Sequence, residues 1–231
     1  MRISKYIANA GYCSRRDAEK LIFKKKVYVN NNLCEAPYMN VDASDKVTIN
    51  NQIIRFNNKI SLWKLYKPIK TICTNKDPKK RKTIFDIMPK GLPRLISIGR
   101  LDYMSEGLIL LTNNGDFARK LELPSSNIIR VYRVCVSGII KPEQLKEIKL
   151  GLNIEGISYK KIEAKVEKIT KNKTWMKFKL KEGKNREIRK ICNYFNWTVN
   201  RLTRVQYGSV KLKKEKPGQI KELDFIPEDL K

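Results

Sequence analysis

An unbroken apolar run, Gly107-Leu108-Ile109-Leu110-Leu111, limits the architecture of this chain more than any other stretch. It is short and flanked by polar residues, so it reads as a buried strand. Directly ahead of it stands Gly99-Arg100-Leu101-Asp102-Tyr103-Met104-Ser105-Glu106, which sets one carboxylate beside an arginine on the rim of that sheet. A carboxylate held there is a candidate nucleophile or general base. The same residues equally suit a polar turn whose aspartate caps the next element. The chain has no histidine, which removes a Ser-His-Asp triad, a histidine metal site and a histidine proton shuttle from consideration.

Composition then narrows the partner. The 231 residues include 50 Lys and Arg against 23 Asp and Glu, a net charge of +27. Such an excess favours a polyanion, either nucleic acid or an anionic membrane surface. No apolar run approaches the roughly 20 residues that span a bilayer, and the opening Met1-Arg2-Ile3-Ser4-Lys5-Tyr6 lacks a signal-peptide core. The five cysteines (Cys13, Cys34, Cys73, Cys135, Cys192) are scattered and never form C-x-x-C. That pattern speaks against a disulfide framework or a zinc site, and for reduced thiols in a cytoplasmic protein.

The chain divides near residues 57–61, giving an expected small unit at 1–58 and a larger one at 59–231. In the first, Ile3, Ile7 and Ala10 follow helical spacing up to Gly11. Ser14-Arg15-Arg16-Asp17 fits a capping-box start for a second helix with Ala18, Leu21 and Ile22 as its buried stripe. Val27-Tyr28-Val29 and Leu33-Cys34 flank an Asn30-Asn31-Asn32 hairpin turn, and Val47-Thr48-Ile49 reads as another strand. Arg2, Lys5, Arg15, Arg16, Lys20, Lys24, Lys25 and Lys26 make this unit basic.

In the larger unit, Leu62–Tyr66 is a strand stopped by Lys67-Pro68, and residues 75–82 form a charged loop, either solvated or contacting phosphate. Residues 132–136, 162–166 and 176–180 alternate with period two, as half-buried antiparallel strands do. Pro142 to Leu150 makes a helix with Gly151 past its end. Residues 182–195 enter a helix whose buried stripe is Ile188, Ile191, Cys192 and Phe195, beside a polar stripe of Arg186, Arg189, Lys190 and Asn193. Arg201 to Gly208 alternates like a strand, with Leu202 on the face of Arg204. The sum is an α+β fold with a mainly antiparallel sheet.

Residues 2–8, 10–19 and 27–30 resemble the S4-like RNA-binding domain, which grips structured RNA with a helix pair and a small sheet. Four later blocks resemble, in order, the pseudouridine synthases that carry such a domain and modify ribosomal RNA. They are Lys67-Pro68 with Thr83–Pro89, Gly99–Gly115, Arg130-Val131-Tyr132-Arg133-Val134, and Glu182–Arg189 with Arg201–Val205. The family often holds Lys where this chain has Arg130, a swap that preserves charge. The resemblance implies an enzyme that needs no cofactor and no metal.

The resemblance also assigns roles. Asp102 starts cleavage of the uridine glycosidic bond, by attack on the ribose or by deprotonating it; the uracil turns and rejoins through its carbon 5. Tyr132 stacks on the uracil, Leu202 forms the opposite apolar wall, and Arg100 replaces the flipped base. Burial alone would raise the pKa of Asp102, whereas a neighbouring arginine lowers it, and Arg189 is the expected partner. Lys184 and Arg186 are expected at the substrate, and Arg2, Lys5, Arg15, Arg16 and Lys20 at the RNA. The implied partner is ribosomal RNA or a ribosome assembly intermediate, met by a monomer with no membrane association. Residues 182–189 and 200–202 look more like the large-subunit rRNA enzymes than the small-subunit ones. A non-catalytic assembly factor would leave Asp102 and Tyr132 without a purpose. A methyltransferase would need a glycine-rich nucleotide loop that this sequence lacks.

Overall fold

The computed structural model describes residues 1–42, 44–55 and 59–231. Helix α1 (Ile3–Asn9) buries Ile3, Tyr6 and Ile7 and ends where Gly11 takes a φ of +81°. Helix α2 (Arg15–Phe23) starts at Ser14, whose Oγ accepts the Asp17 amide at 3.1 Å. The expected capping box is only half formed. Ser14 Oγ also donates to Asp17 Oδ2 at 2.5 Å, so the carboxylate grips the hydroxyl instead of the Ser14 amide.

Strands β1 (Val27–Val29), β2 (Asn32–Leu33), β3 (Val47–Ile49) and β4 (Gln52–Ile54) form a sheet in the order β2-β1-β3-β4. Its two hairpins turn on Asn30-Asn31 and Asn50-Asn51, all four at positive φ, as two-residue type I′ turns require. Ile3, Ile7, Ala18, Ile22, Val27, Val47 and Ile49 make this unit's own core. The expected division falls partly on residues 56–58, outside the described residues. Past it, Lys5 reaches Asp116 of the larger unit at 2.6 Å.

The larger unit is built on β5 (Leu62–Lys67), β6 (Ile96–Ile98), β7 (Glu106–Thr112), helix α3 (Gly115–Glu122), β8 (Arg130–Ser137) and helix α4 (Pro142–Leu150). It continues with β9 (Leu152–Ile154), β10 (Ile157–Tyr159), β11 (Glu163–Thr170), β12 (Lys173–Leu180), helix α5 (Glu187–Tyr194), β13 (Thr198–Tyr207), β14 (Val210–Lys211) and β15 (Ile220–Glu222). The nine-stranded sheet runs β11-β12-β8-β13-β7-β5-β15, with β14 on β13 and β6 on β7. Its pairs are antiparallel except β13 with β7, where Thr203 lies beside Glu106 and Arg204 beside Gly107.

The apolar run becomes β7, buried along its whole length. Leu108 and Leu110 pack with Phe117 and Leu121 of α3, while Ile109 and Leu111 pack with Leu65, Ile84 and Leu95. Two covered faces explain why the run is continuous and not alternating. β12 alternates as expected, burying Thr174, Met176, Phe178 and Leu180. The strand expected at 162–166 begins one residue later and runs to Thr170 as an exposed sheet edge. Helix α4 has the expected bounds, with Gly151 at φ +102°. Helix α5 packs Ile188, Ile191 and Cys192 on Tyr132, Val134 and Leu202. Phe195 packs against the same cluster but is only half-buried, as the C-cap of the helix, with its ring 5.1 Å from that of Trp197. Among the described residues no helix is long and apolar enough to cross a membrane.

Candidate active site

The loop between β6 and β7 is tied down at each turn. Gly99 donates its amide to Glu122 Oε1 at 2.8 Å, Leu101 exchanges backbone hydrogen bonds with the Cys73 thiol, and Tyr103 accepts the Lys70 amide at 2.7 Å. Ser105 donates its amide to the Asp102 carbonyl at 3.0 Å, closing a turn that projects the Asp102 carboxylate. The carboxylate enters a cleft of about 1070 Å³ whose lining includes all seven residues expected at the reaction centre: Arg100, Asp102, Tyr132, Lys184, Arg186, Arg189 and Leu202.

Asp102 is not buried; its side chain keeps 34 % of its exposure. Arg189 is the more enclosed partner, with its Nε 3.6 Å from Asp102 Oδ2. Its Nη2 donates to the Met104 carbonyl at 2.9 Å and to Ser105 Oγ at 3.2 Å. Burial lowers the Arg189 pKa, and the Asp102 charge works against that shift. Tyr132 and Leu202 are both buried and belong to one cluster. They do not face one another. Tyr132 lies opposite Arg204 and Leu202 opposite Val134, so the two are diagonal neighbours on one sheet face and form the floor of the cleft.

The other expected substrate contacts differ in how free they are. Arg100 is exposed at the mouth. Arg186 is exposed and held at φ +53° where the chain turns into α5. Lys184 is engaged within the protein: its Nζ donates to the Ser158 carbonyl, lies 3.2 Å from Glu182 and sits 5.5 Å from the Tyr159 ring centre. In the small unit Arg2, Arg15, Arg16 and Lys20 are exposed, whereas Lys5 is spent on Asp116.

Three charged residues at or under the cleft were not anticipated in these roles. Lys67 is fully buried, donating to the Ser105 carbonyl at 2.7 Å and the Pro68 carbonyl at 3.0 Å. Burial brings its pKa down to about 8, against the opposing pull of Cys73, Asp102 and Glu106. Glu187 is 4 % exposed, and burial raises it to about 7. Its Oε2 accepts the Lys184 amide at 3.1 Å, and its Oε1 has no partner among the described residues. Arg204 donates Nε to the Leu108 carbonyl at 2.6 Å, and its buried Nη2 has no hydrogen-bond partner among the described residues. Lys67 stood in a matched block, but a lysine is ordinarily exposed, so only its register opposite Gly107 reveals the burial.

Arg130 shows that its exchange for Lys is not only a matter of charge. Its fork donates to the Lys181 carbonyl at 2.6 Å and to Tyr207 Oη at 3.1 Å while lying 4.8 Å from the Tyr207 ring centre. An ammonium cannot reproduce that planar set. Among the described residues no group of three His, Cys, Asp or Glu could hold a metal ion.

The arrangement is a half-exposed carboxylate facing an arginine above an apolar aromatic floor, inside a basic cleft. Comparison with known proteins identifies the family. The sequence model described as RNA pseudouridylate synthase matches residues 61–194, and the S4 domain model matches residues 1–47. An RNA pseudouridine synthase of Rickettsia felis is 48% identical over 224 residues, covering 96% of each chain. Ribosomal large subunit pseudouridine synthase B of Bacillus subtilis is 34% identical over 224 residues, covering 96% of this chain and 91% of its own. The protein of that name in Buchnera aphidicola (Schizaphis graminum) is 36% identical over 233 residues, covering 97% and 91%. A solved pseudouridylate synthase shares the fold with a TM-score of 0.67 over 96% of both chains at 22% sequence identity. A family model spanning more than half of the sequence, and relatives aligned along nearly all of it, make this chain a member of the RNA pseudouridylate synthase family with an S4 domain at its N-terminal end.

Proposed function

We propose that this synthase converts a uridine of large-subunit ribosomal RNA to pseudouridine, with Asp102 as the reacting carboxylate. The observation that carries the reading is that Asp102, 3.6 Å from Arg189, lines one cleft with Tyr132 and Leu202. The isomerisation breaks the bond from ribose C1′ to N1 and forms one from C1′ to C5. The C5 proton leaves and N1 gains one, so the atoms balance with no oxidant, reductant or second substrate. Asp102 starts this by attack on the ribose or by removing a ribose proton; Arg189 sets its guanidinium 3.6 Å from the carboxylate and holds the loop that presents it. Tyr132 offers its ring to the uracil, Leu202 lies beside it on the floor, and Arg100 fills the space the flipped nucleotide leaves. Arg186 and Lys184 stand along the cleft wall.

Large-subunit RNA is favoured by the names of the Bacillus and Buchnera relatives. The unit spanning 1–58 supplies RNA affinity through Arg2, Arg15, Arg16 and Lys20, and the unit from 59 onward supplies the chemistry. The five cysteines are free, which suits work in a reducing cytoplasm. The protein acts as a monomer on free RNA or an assembly intermediate. The test is to incubate it with large-subunit and small-subunit rRNA transcripts and map pseudouridine. One modified site in the large-subunit RNA is expected. Modification confined to small-subunit RNA would overturn the substrate assignment, and none in either would overturn the activity.

A further inference from the structure

The sheet face opposite the cleft carries a row of cations that no helix covers among the described residues. Helices α4 and α5 pack on the cleft side, where Ile148, Ile188 and Ile191 share a cluster with Met176 and Phe178. Trp175, Lys177 and Lys179 alternate with those core residues and so point the other way. Register then sets Lys177 directly between Lys165 of β11 and Arg133 of β8. Neighbouring strands are about 4.8 Å apart, and like charges placed directly opposite destabilise a sheet.

Carboxylates relieve only the margins of the row. Glu167 pairs with Arg133 at 2.8 Å, and Glu163 with Lys179 at 3.1 Å and Lys165 at 3.4 Å. Lys177, in the middle, has no ion-pair partner among the described residues, and neither does exposed Lys168, which lies opposite Trp175. Arg133 lies 5.1 Å from the Trp175 ring centre. A membrane surface would ask for an apolar face to bury alongside such charge. A cationic row without such an apolar face suits phosphates.

We infer that this face is a second RNA-contacting surface, which takes the phosphodiester backbone of a segment of the substrate RNA lying outside the cleft. The inference rests on the RNA-modifying reading above. The uncompensated cation at Lys177 is relieved when a phosphate sits on the row, and a long RNA is thereby held from both sides of the sheet.

The test compares wild type with Lys165→Gln/Lys168→Gln/Lys177→Gln and with a charge-matched control, Lys146→Gln/Lys149→Gln/Lys211→Gln, all at exposed positions except half-buried Lys177. Affinity is measured across salt for a long rRNA fragment and for a short stem-loop holding only the target uridine. For the long fragment, the first variant should bind about tenfold more weakly, with a salt slope shallower by about 1–2, since each lost phosphate contact removes roughly 0.7–0.9. Its single-turnover rate at saturating RNA should match wild type. Unchanged affinity for the long fragment, an equal loss on the stem-loop, or an equal loss in the control would each overturn the inference. Wild type that binds both RNAs but forms no pseudouridine would instead overturn the proposed function.

Discussion

The Arg189 guanidinium faces the Asp102 carboxylate at 3.6 Å and, through Nη2, holds the Met104 carbonyl at 2.9 Å and the Ser105 hydroxyl at 3.2 Å. One side chain on α5 thus both polarises the acid and pins the loop that presents it. Lys67 grips the Ser105 carbonyl from beneath at 2.7 Å. The acid is fixed through its backbone more firmly than through its own carboxylate, which keeps 34 % exposure.

That geometry decides what Arg189→Leu does. Because Asp102 is half-exposed, losing the arginine does not strand a buried charge; it loosens residues 102–105 and removes a favourable field. Hydrogen bonds to a charged group contribute about 1.5–3 kcal/mol, so single-turnover rates should fall roughly ten- to a hundredfold. Arg189→Lys should lose less, since it keeps charge without the fork. A Leu variant as fast as wild type would mean that neither the field of Arg189 nor its grip on residues 102–105 matters to the reaction.

Asp102→Asn keeps the shape of the side chain and the Ser105-to-carbonyl hydrogen bond, which is a backbone contact. Pseudouridine formation should be abolished while RNA affinity stays within about twofold, a change below 0.5 kcal/mol. Equal turnover by the variant would move the chemistry to another group in the cleft.

Gly107 sits at φ +107°, and a Cβ there would lie 2.3 Å from the Arg204 carbonyl oxygen and 2.7 Å from its nitrogen. This is the parallel contact of β7 with β13, so nothing nearby can yield without breaking the sheet. Gly107→Ala should cost about 3 kcal/mol or more, which lowers the melting temperature by about 6–12 °C for a chain of this size. Gly183 has open space around it, and Gly183→Ala should melt near wild type. A near-native melt of the Gly107 variant would show that the two strands are not so closely joined.

The residues that were legible in the sequence are those whose pattern has a local cause. Pro142 and Gly151 bound α4 because one cannot extend a helix backwards and the other sits at positive φ beyond its end. Met176 and Phe178 follow the expected period-two alternation, whereas β8, expected to alternate over 132–136, is buried from Arg130 to Val136 except at Arg133, because it lies inside the sheet. The sequence pattern leads to no expected strand at β4, although Asn50-Asn51 repeats the turn signal of Asn30-Asn31. The buried charges were illegible for a different reason. Lys67 and Arg204 are buried through pairing with a strand distant in sequence, Glu187 is buried at the start of α5, and Tyr132 and Leu202 become neighbours only through the β8–β13 register.

Glu187 supplies a stability signature that its burial predicts. Burial raises its pKa from 4.5 to about 7, the Lys184 amide opposes this, and Glu182 adds to it. Below pH 4.5 the group is protonated in both states and contributes nothing. Between there and pH 7 the unfolded chain ionises first, so native stability falls as pH rises. Above the folded value the loss is complete, about 3 kcal/mol for a shift of this size. Glu187→Gln cannot ionise and escapes the loss while its Oε1 still accepts the Lys184 amide. Urea unfolding of both proteins at pH 5 and pH 8 should show the Gln variant gaining about 2–3 kcal/mol on wild type between the two conditions. A stability difference that stays constant across that range would mean that Glu187 ionises in the native protein as it does in an unfolded chain.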